Sequence, residues 1–326
     1  MLTTPIPSAK RRAYKGLRRF VRPILRPGVP LPPVSRFPGH FAVVRSVVEG
    51  LEQIGADFNH DPRSFRKLAR IVYAPANEAL RQAARLKREK KIDYLVAGPS
   101  NAFFPEEADN IFWLPEIDTI IEPSDWVKEL FRSIAPPLVS KIRICTAGVD
   151  TAYWKPRGER SSTRAIVYWK SGDESFSSEV EDILRARGLD PVRFQYGHYA
   201  RDDYRYSLDG AALAVFLSSF ETQGIALAEA WAMDVPTLVW DPRAETQWRG
   251  RPFISGSSAP YLSVDTGMRW VTLADLTNVI GEALSRRESY RPREWVLANM
   301  TDAICSSALL EIISSECRTQ RRNQPR

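Results

Sequence analysis

Two successive series of short apolar runs, each run separated from the next by a stretch of helical periodicity, constrain this chain more than any other feature. In the first series the runs at 71–74, 92–97, 111–114, 119–121 and 142–145 read as buried strands. Residues 77–91, with six basic side chains, and 125–132 read as helices between them. A further helix over 41–54 follows the turn Pro38-Gly39-His40 and is stopped by Gly55. In the second series, strands at 165–169, 192–196, 211–217 and 237–240 alternate with helices at 174–187, 202–209 and 224–233. Helices over 273–286 and 293–313 close the chain. Such alternation makes a parallel sheet covered by helices, and no short-period repeat competes with it. A chain of 326 residues exceeds one ordinary core, so two domains facing a cleft are expected. The polar, turn-rich stretch 158–163 reads as the linker.

The composition, 44% hydrophobic and 26% charged, is that of a soluble globular protein, and no apolar run approaches the roughly 20 residues that span a bilayer. Cys145, Cys305 and Cys317 are odd in number and lack metal-ligand or C-x-x-C spacing, which fits a reducing cytoplasm better than a disulfide framework. The net charge of +7 is uneven: no acidic residue precedes Glu49, whereas Lys10, Arg11, Arg12, Lys15, Arg18, Arg19, Arg22 and Arg26 crowd the start. This polycation fits a solvated tail, or a peripheral contact with the anionic inner face of a membrane; nucleic acid fits less well. It has no continuous apolar core and five prolines between 23 and 33, so it does not read as a cleavable signal.

The chemistry concentrates in the run Ser218-Ser219-Phe220-Glu221-Thr222-Gln223-Gly224-Ile225, which leaves a strand and opens a helix. Open α/β sheets bind ligands at the carboxyl ends of their strands. The free N–H groups near Gly224 and Ile225, together with the helix dipole, suit a phosphate. Glu221 and Glu229 would then accept hydrogen bonds from hydroxyls, Glu221 from a transferred sugar and Glu229 from a ribose. From spacing alone, Glu221 could equally neighbour the helix cap and Glu229 could be a solvated helix residue.

This segment, with the following Glu229-Ala230-Trp231-Ala232-Met233-Asp234-Val235-Pro236, resembles the donor-binding signature of retaining glycosyltransferases of family 4. Gly148-Val149-Asp150 resembles the turn that ends that family's first domain, and Tyr196-Gly197-His198 resembles its loop near the nucleotide base. The resemblance covers roughly residues 90 to 300. It implies an α/β GT-B fold of two Rossmann-like domains. The first spans 37–157, follows the basic, proline-rich segment 1–36, and receives a C-terminal helix at about 293–316 that crosses back to it. The second, donor-binding domain spans 158–292. The implied activity is transfer of a hexosyl unit from a nucleoside diphosphate sugar to a hydroxyl of a glycan, a lipid-linked or a small-molecule acceptor, with retention of configuration. Neither metal nor cofactor is implied, and the chain has no Asp-x-Asp pair.

By the same resemblance Glu221 and His40 are the catalytic candidates. Lys170, Gly197, His198, Thr222, Gln223, Gly224, Ile225 and Glu229 would bind the donor, and Gly39 and Asn101 would lie on the acceptor side. His40 could instead be a turn or capping residue, and Lys170 a surface lysine. The four prolines in 29–38 cannot donate to a central ladder, so the first strand is expected to be displaced, short or missing. A GT-B nucleotide-sugar epimerase and a noncatalytic nucleotide-sugar-binding protein are the alternatives. No G-x-G-x-x-G after a strand, P-loop, H-E-x-x-H or G-x-S-x-G motif is present, which removes dehydrogenase, P-loop and hydrolase readings.

Overall fold

The short apolar runs become two parallel sheets, and the amphipathic stretches become the helices that cover them. The computed structural model describes residues 1–3, 6, 41–62, 64–99, 102–158 and 163–323. Gly39, His40, Asn101 and nearly all of the basic segment lie outside the described residues.

In the first sheet β1 (Ile71–Ala74), β2 (Tyr94–Ala97), β3 (Thr119–Glu122) and β4 (Ile142–Ile144) lie side by side in chain order. Ile71 sits opposite Tyr94, Val96 opposite Thr119 and Ile120 opposite Ile142. Helices α1 (Phe41–Gln53), α2 (Asn77–Arg88) and α3 (Asp125–Ile134) connect and cover these strands. In α2 the residues Ala79, Leu80, Ala83, Ala84 and Leu86 are buried, so the basic residues fall on the opposite, solvated face. Leu2, from the basic segment, donates its N–H to the Tyr73 carbonyl at 2.9 Å. Leu2 and Ile6 are both buried in the first-domain core.

The run 111–114 is not a strand. Residues Ile111–Trp113 form one 3-10 turn, entered from Asn110 in the left-handed conformation (φ 57). Ile111 and the adjacent Phe112 are both buried, as they would be in a strand covered on both faces, so their apolar character alone does not separate the two.

The second sheet has the order β11-β8-β7-β5-β6, all parallel. Its strands are β5 (Arg164–Trp169), β6 (Asp190–Gln195), β7 (Leu213–Leu217), β8 (Thr237–Trp240) and β11 (Gly267–Trp270). Helices α4 (Glu174–Ala186), α5 (Arg201–Leu208), α6 (Ile225–Ala232) and α7 (Leu273–Ser285) cover it. From β5 the chain steps outward to β6 and then returns to β7 on the other side. The carboxyl ends of β5 and β7 are therefore the topological switch point, where such sheets bind ligands.

An antiparallel hairpin, β9 (Glu245–Trp248) and β10 (Arg251–Ile254), interrupts the passage from β8 to β11. Its two-residue turn, Arg249-Gly250, has positive φ at both positions, 49 and 80, the geometry that matches hairpin twist.

The expected single helix over 293–313 is two: α8 (Pro292–Asn299) and α9 (Asp302–Asn323). The break at Met300-Thr301 is where the chain returns to the first domain. There Val149 donates to the Met300 carbonyl at 2.9 Å, and a Cβ on Gly148 would lie 2.5 Å from the backbone of Thr301 and Asp302. Beyond the break, Leu309 and Ile313 of α9 pack with Val47 and Leu51 of α1. A buried pair, Arg45 Nη1 to Asp302 Oδ2 at 2.6 Å, ties the two helices together.

Candidate active site

The two switch-point strands end on residues of complementary charge. Lys170 follows β5, and Glu221 stands in the loop between β7 and α6; Lys170 Nζ donates to Glu221 Oε1 at 2.8 Å. The Ser218 hydroxyl donates to the same oxygen at 3.0 Å. The Lys170 ammonium also stands 5.0 Å from the ring centroid of Tyr196 and 5.9 Å from that of Phe220. With both side chains at most a quarter exposed, the pair is held more firmly than a surface ion pair.

Gly224 precedes α6 with φ 81 and ψ 55, in the left-handed region. The first backbone bond of the helix runs from Ala228 to the Gly224 carbonyl, so the N–H groups before Ala228 lack helical acceptors. Gly224, Ile225 and Ala226 line a cleft of about 720 Å³ together with Lys170 and Glu221. An anion in that cleft would meet a helix N-terminus and an ammonium group together.

Glu229, one turn into α6, lines the same cleft. Burial pushes its carboxyl up to about 7 against the opposing pull of Arg201 and Arg45. The Arg201 guanidinium is 3.9 Å from it and lies over the ring of Tyr153 at 4.1 Å. Arg201 opens α5, the helix that follows the Gly197 turn.

The first domain supplies the other wall through Ala42, Val43, Pro99, Ala102, Phe103, Glu122 and Pro123. Several bonds fasten the β7–α6 loop to that domain. Ser124 Oγ donates to the Thr222 carbonyl at 2.6 Å and Trp126 Nε1 to the Glu221 carbonyl at 2.9 Å. The Gln223 amide pairs with both backbone groups of Ala147, accepting at 3.1 Å and donating at 2.9 Å. The hairpin reaches across as well: Arg251 meets Glu106 at 2.8 Å, and Arg249 meets Glu107 at 3.6 Å.

Of the residues singled out from sequence, Lys170, Gly197, Glu221, Thr222, Gln223, Gly224, Ile225 and Glu229 line this one cleft. His198 does not; its N–H closes a turn onto the Gln195 carbonyl. The Gln223 side chain is occupied by Ala147, leaving its backbone to face the cleft. Gly39, His40 and Asn101 lie outside the described residues. Sequence reading missed Tyr168, Tyr199, Arg201, Phe220, Glu122, Trp248 and Arg249, all of which line the cleft. Arg201 follows the Tyr196-Gly197-His198 loop closely enough to have been a candidate. Trp248 and Arg249 sit on a hairpin whose Arg-Gly turn lacks the usual asparagine or aspartate signal.

No family description matches the sequence, and no curated protein matches it. Solved structures do. The Anabaena protein HepE in complex with UDP and glucose superposes with a TM-score of 0.56 at 12% identity, covering 76% of this chain and 78% of that one. The lipopolysaccharide outer core galactosyltransferase WaaB superposes with a TM-score of 0.53 at 12% identity, covering 83% and 80%. This chain has the GT-B fold. Its two parallel sheets, the cleft between their carboxyl ends and the C-terminal crossover are the corresponding parts of that fold. S. aureus TarM, in a complex with UDP and alpha-GlcNAc-glycerol, also superposes, with a TM-score of 0.52 at 12% identity. This chain covers 55% of TarM.

Proposed function

We propose that the protein is a glycosyltransferase that moves a hexosyl unit from a nucleoside diphosphate sugar to a hydroxyl of an acceptor. The observation that carries the reading is the joint placement of Lys170, Glu221 and the Gly224-led start of α6 at the switch point of the second sheet. In this reading the N–H groups at the start of α6 and the Lys170 ammonium hold the diphosphate, supplying the positive charge that a metal ion would otherwise bring. Glu221 accepts hydrogen bonds from sugar hydroxyls. Glu229, once ionised, accepts those of the ribose. HepE and TarM, whose structures contain UDP, support a uridine nucleotide as the first donor to try.

The bond between the anomeric carbon and the diphosphate oxygen breaks, and the acceptor oxygen bonds to that carbon. The acceptor's proton passes to the departing phosphate oxygen. Attack from the face of the leaving group retains configuration, and free nucleoside diphosphate is released.

Incubation with UDP, GDP, ADP and dTDP sugars tests the reading through release of free nucleotide. Glu221→Gln keeps an acceptor for Ser218 and removes the charge opposite Lys170. Turnover is expected to fall at least tenfold, about 1.4 kcal/mol in the barrier, with the melting temperature nearly unchanged. Unchanged turnover refutes the role of Glu221, and donor binding with no release favours the noncatalytic alternative.

A further inference from the structure

The donor-binding reading uses the second-domain wall of the cleft and, among the described residues, leaves one polar side chain on the facing wall without a role. Glu122 ends β3 at the carboxyl edge of the first sheet and lines the same cavity as Lys170, Glu221 and Glu229. It is 6% exposed, and among the described residues its carboxyl has no hydrogen-bonding or ionic partner. The rest of the described first-domain wall is apolar: Ala42, Val43, Pro99, Ala102, Phe103 and Pro123. An unpaired carboxyl in such a wall is costly. A ligand that supplies its missing hydrogen bonds removes that cost on binding.

Burial alone pushes the Glu122 carboxyl up to about 8, so at neutral pH it carries its proton. In that state it donates one hydrogen bond and accepts others, as a hydroxyl does. Tyr73 of β1 and Cys145 beyond β4 are the titratable groups packed behind it, and burial holds both neutral. The charged groups across the cavity are Lys170, Arg201 and Arg249, with Glu221 and Glu229. On the same first-domain wall, the Phe103 ring lies 5.6 Å from Phe220 and 5.8 Å from Trp248 between centroids. That cluster offers an apolar surface to the C–H face of a sugar ring.

We propose that Glu122 is the acceptor-binding residue of this cleft, holding an uncharged sugar or polyol through one of its hydroxyls while Phe103 covers its apolar face. The word acceptor rests on the glycosyltransferase reading; the binding of a neutral sugar at Glu122 does not. The site therefore favours an uncharged hydroxyl-bearing partner over a phosphate or a cation.

The test uses the full chain and a panel of neutral methyl glycosides and glycerol, followed by ligand-observed NMR and calorimetry, with UDP binding measured in parallel. At least one glycoside is expected to bind the wild type. Glu122→Ala should weaken it tenfold or more. Glu122→Gln, whose amide still donates and accepts, should stay within about threefold, and UDP affinity should not change in either variant. Wild-type affinity for the glycoside should fall as the pH rises through about 8, and that fall should vanish in Glu122→Gln. Unchanged glycoside affinity in Glu122→Ala overturns the assignment, as does a wild type that binds none of the panel. Joint loss of glycoside and UDP binding in Glu122→Ala with a lowered melting temperature also overturns it, because the residue would then be structural. A wild type that binds glycoside but no UDP refutes the donor reading and leaves Glu122 standing on the glycoside result.

Discussion

Replacing Gly224 by alanine separates two jobs that the same glycine performs. Its φ of 81 lies in the left-handed region, which costs a residue with a Cβ about 1–2 kcal/mol. The added methyl would lie 2.9 Å from Leu227 Cδ1, the movable end of a side chain, so the clash adds little. The folding cost is therefore about 1–2 kcal/mol, or a fall in Tm of roughly 2–8 °C for domains of this size. The same methyl stands beside the N–H groups at the start of α6, where a diphosphate would approach. Losing one hydrogen bond to a charged group removes about 1.5–3 kcal/mol, a tenfold or greater rise in Kd.

Thermal unfolding followed by circular dichroism and UDP binding by calorimetry read the two effects independently. Gly224→Asn is the control, because asparagine tolerates the left-handed conformation. It should recover much of the stability and little of the affinity. An alanine variant that folds and binds UDP within threefold of wild type would refute the placement of the diphosphate against this backbone.

Three further outcomes follow from buried charge. Glu229 accepts ribose hydroxyls more strongly once ionised, and burial holds it near 7; UDP-sugar affinity should rise with pH through about 7, and Glu229→Gln should flatten that dependence in calorimetry. Asp302→Ala strands the Arg45 guanidinium, whose side chain is 6% exposed, with only Glu49 as partner. Breaking a buried pair costs about 3–5 kcal/mol, and Glu49 should keep the loss in urea denaturation at the lower end. Glu122, raised from 4.5 to about 8 in the folded state, binds a proton that the unfolded chain releases, so stability should fall as pH rises from about 4.5 to 8. The full effect is bounded by about 5 kcal/mol. Glu122→Gln should make that slope in Tm shallower between pH 5 and 9, leaving the part that Glu229 contributes up to about pH 7; an unchanged slope would place its source elsewhere.

The second domain was legible through β8, where local and tertiary preferences coincide, whereas the hairpin β9–β10 and the edge strand β11 were not read from sequence. Its central strands are continuous apolar runs flanked by Gly and Asp turns, and β8 falls on the expected residues, 237–240. Errors arose where tertiary context decided. The run 111–114 has strand composition, yet the left-handed entry at Asn110 turns the chain into a 3-10 turn there. The helix over 293–313 carries no internal glycine or proline, and it breaks where the Met300 carbonyl accepts from the Val149 N–H at the domain crossing. For the site, the loop at 218–225 announced itself by sitting between a strand and a helix. Glu122, by contrast, lay just past the expected strand 119–121 and was not singled out. Its significance is a burial without a partner, which no linear spacing encodes.

The β7–α6 loop is also where the two domains become one mechanical unit. Glu221 and Thr222 give their backbone carbonyls to Trp126 and Ser124, both at the start of α3, and Gln223 spends its amide on Ala147. All three partners belong to the first domain. Side-chain substitutions at 221 and 222 leave these main-chain bonds in place, so they probe chemistry with little effect on domain packing. The loop cannot reorient, however, without breaking them, because a buried carbonyl that loses its donor carries an uncompensated desolvation cost. The geometry of the proposed phosphate site and the separation of the domains are therefore one coupled variable. Separation of the domains would also move Glu122 away from Glu221. The same bonds that fix the α6 N-terminus for one substrate thus set the distance to the wall that would hold the other, which is the condition for bringing an anomeric carbon and a hydroxyl into reach of each other.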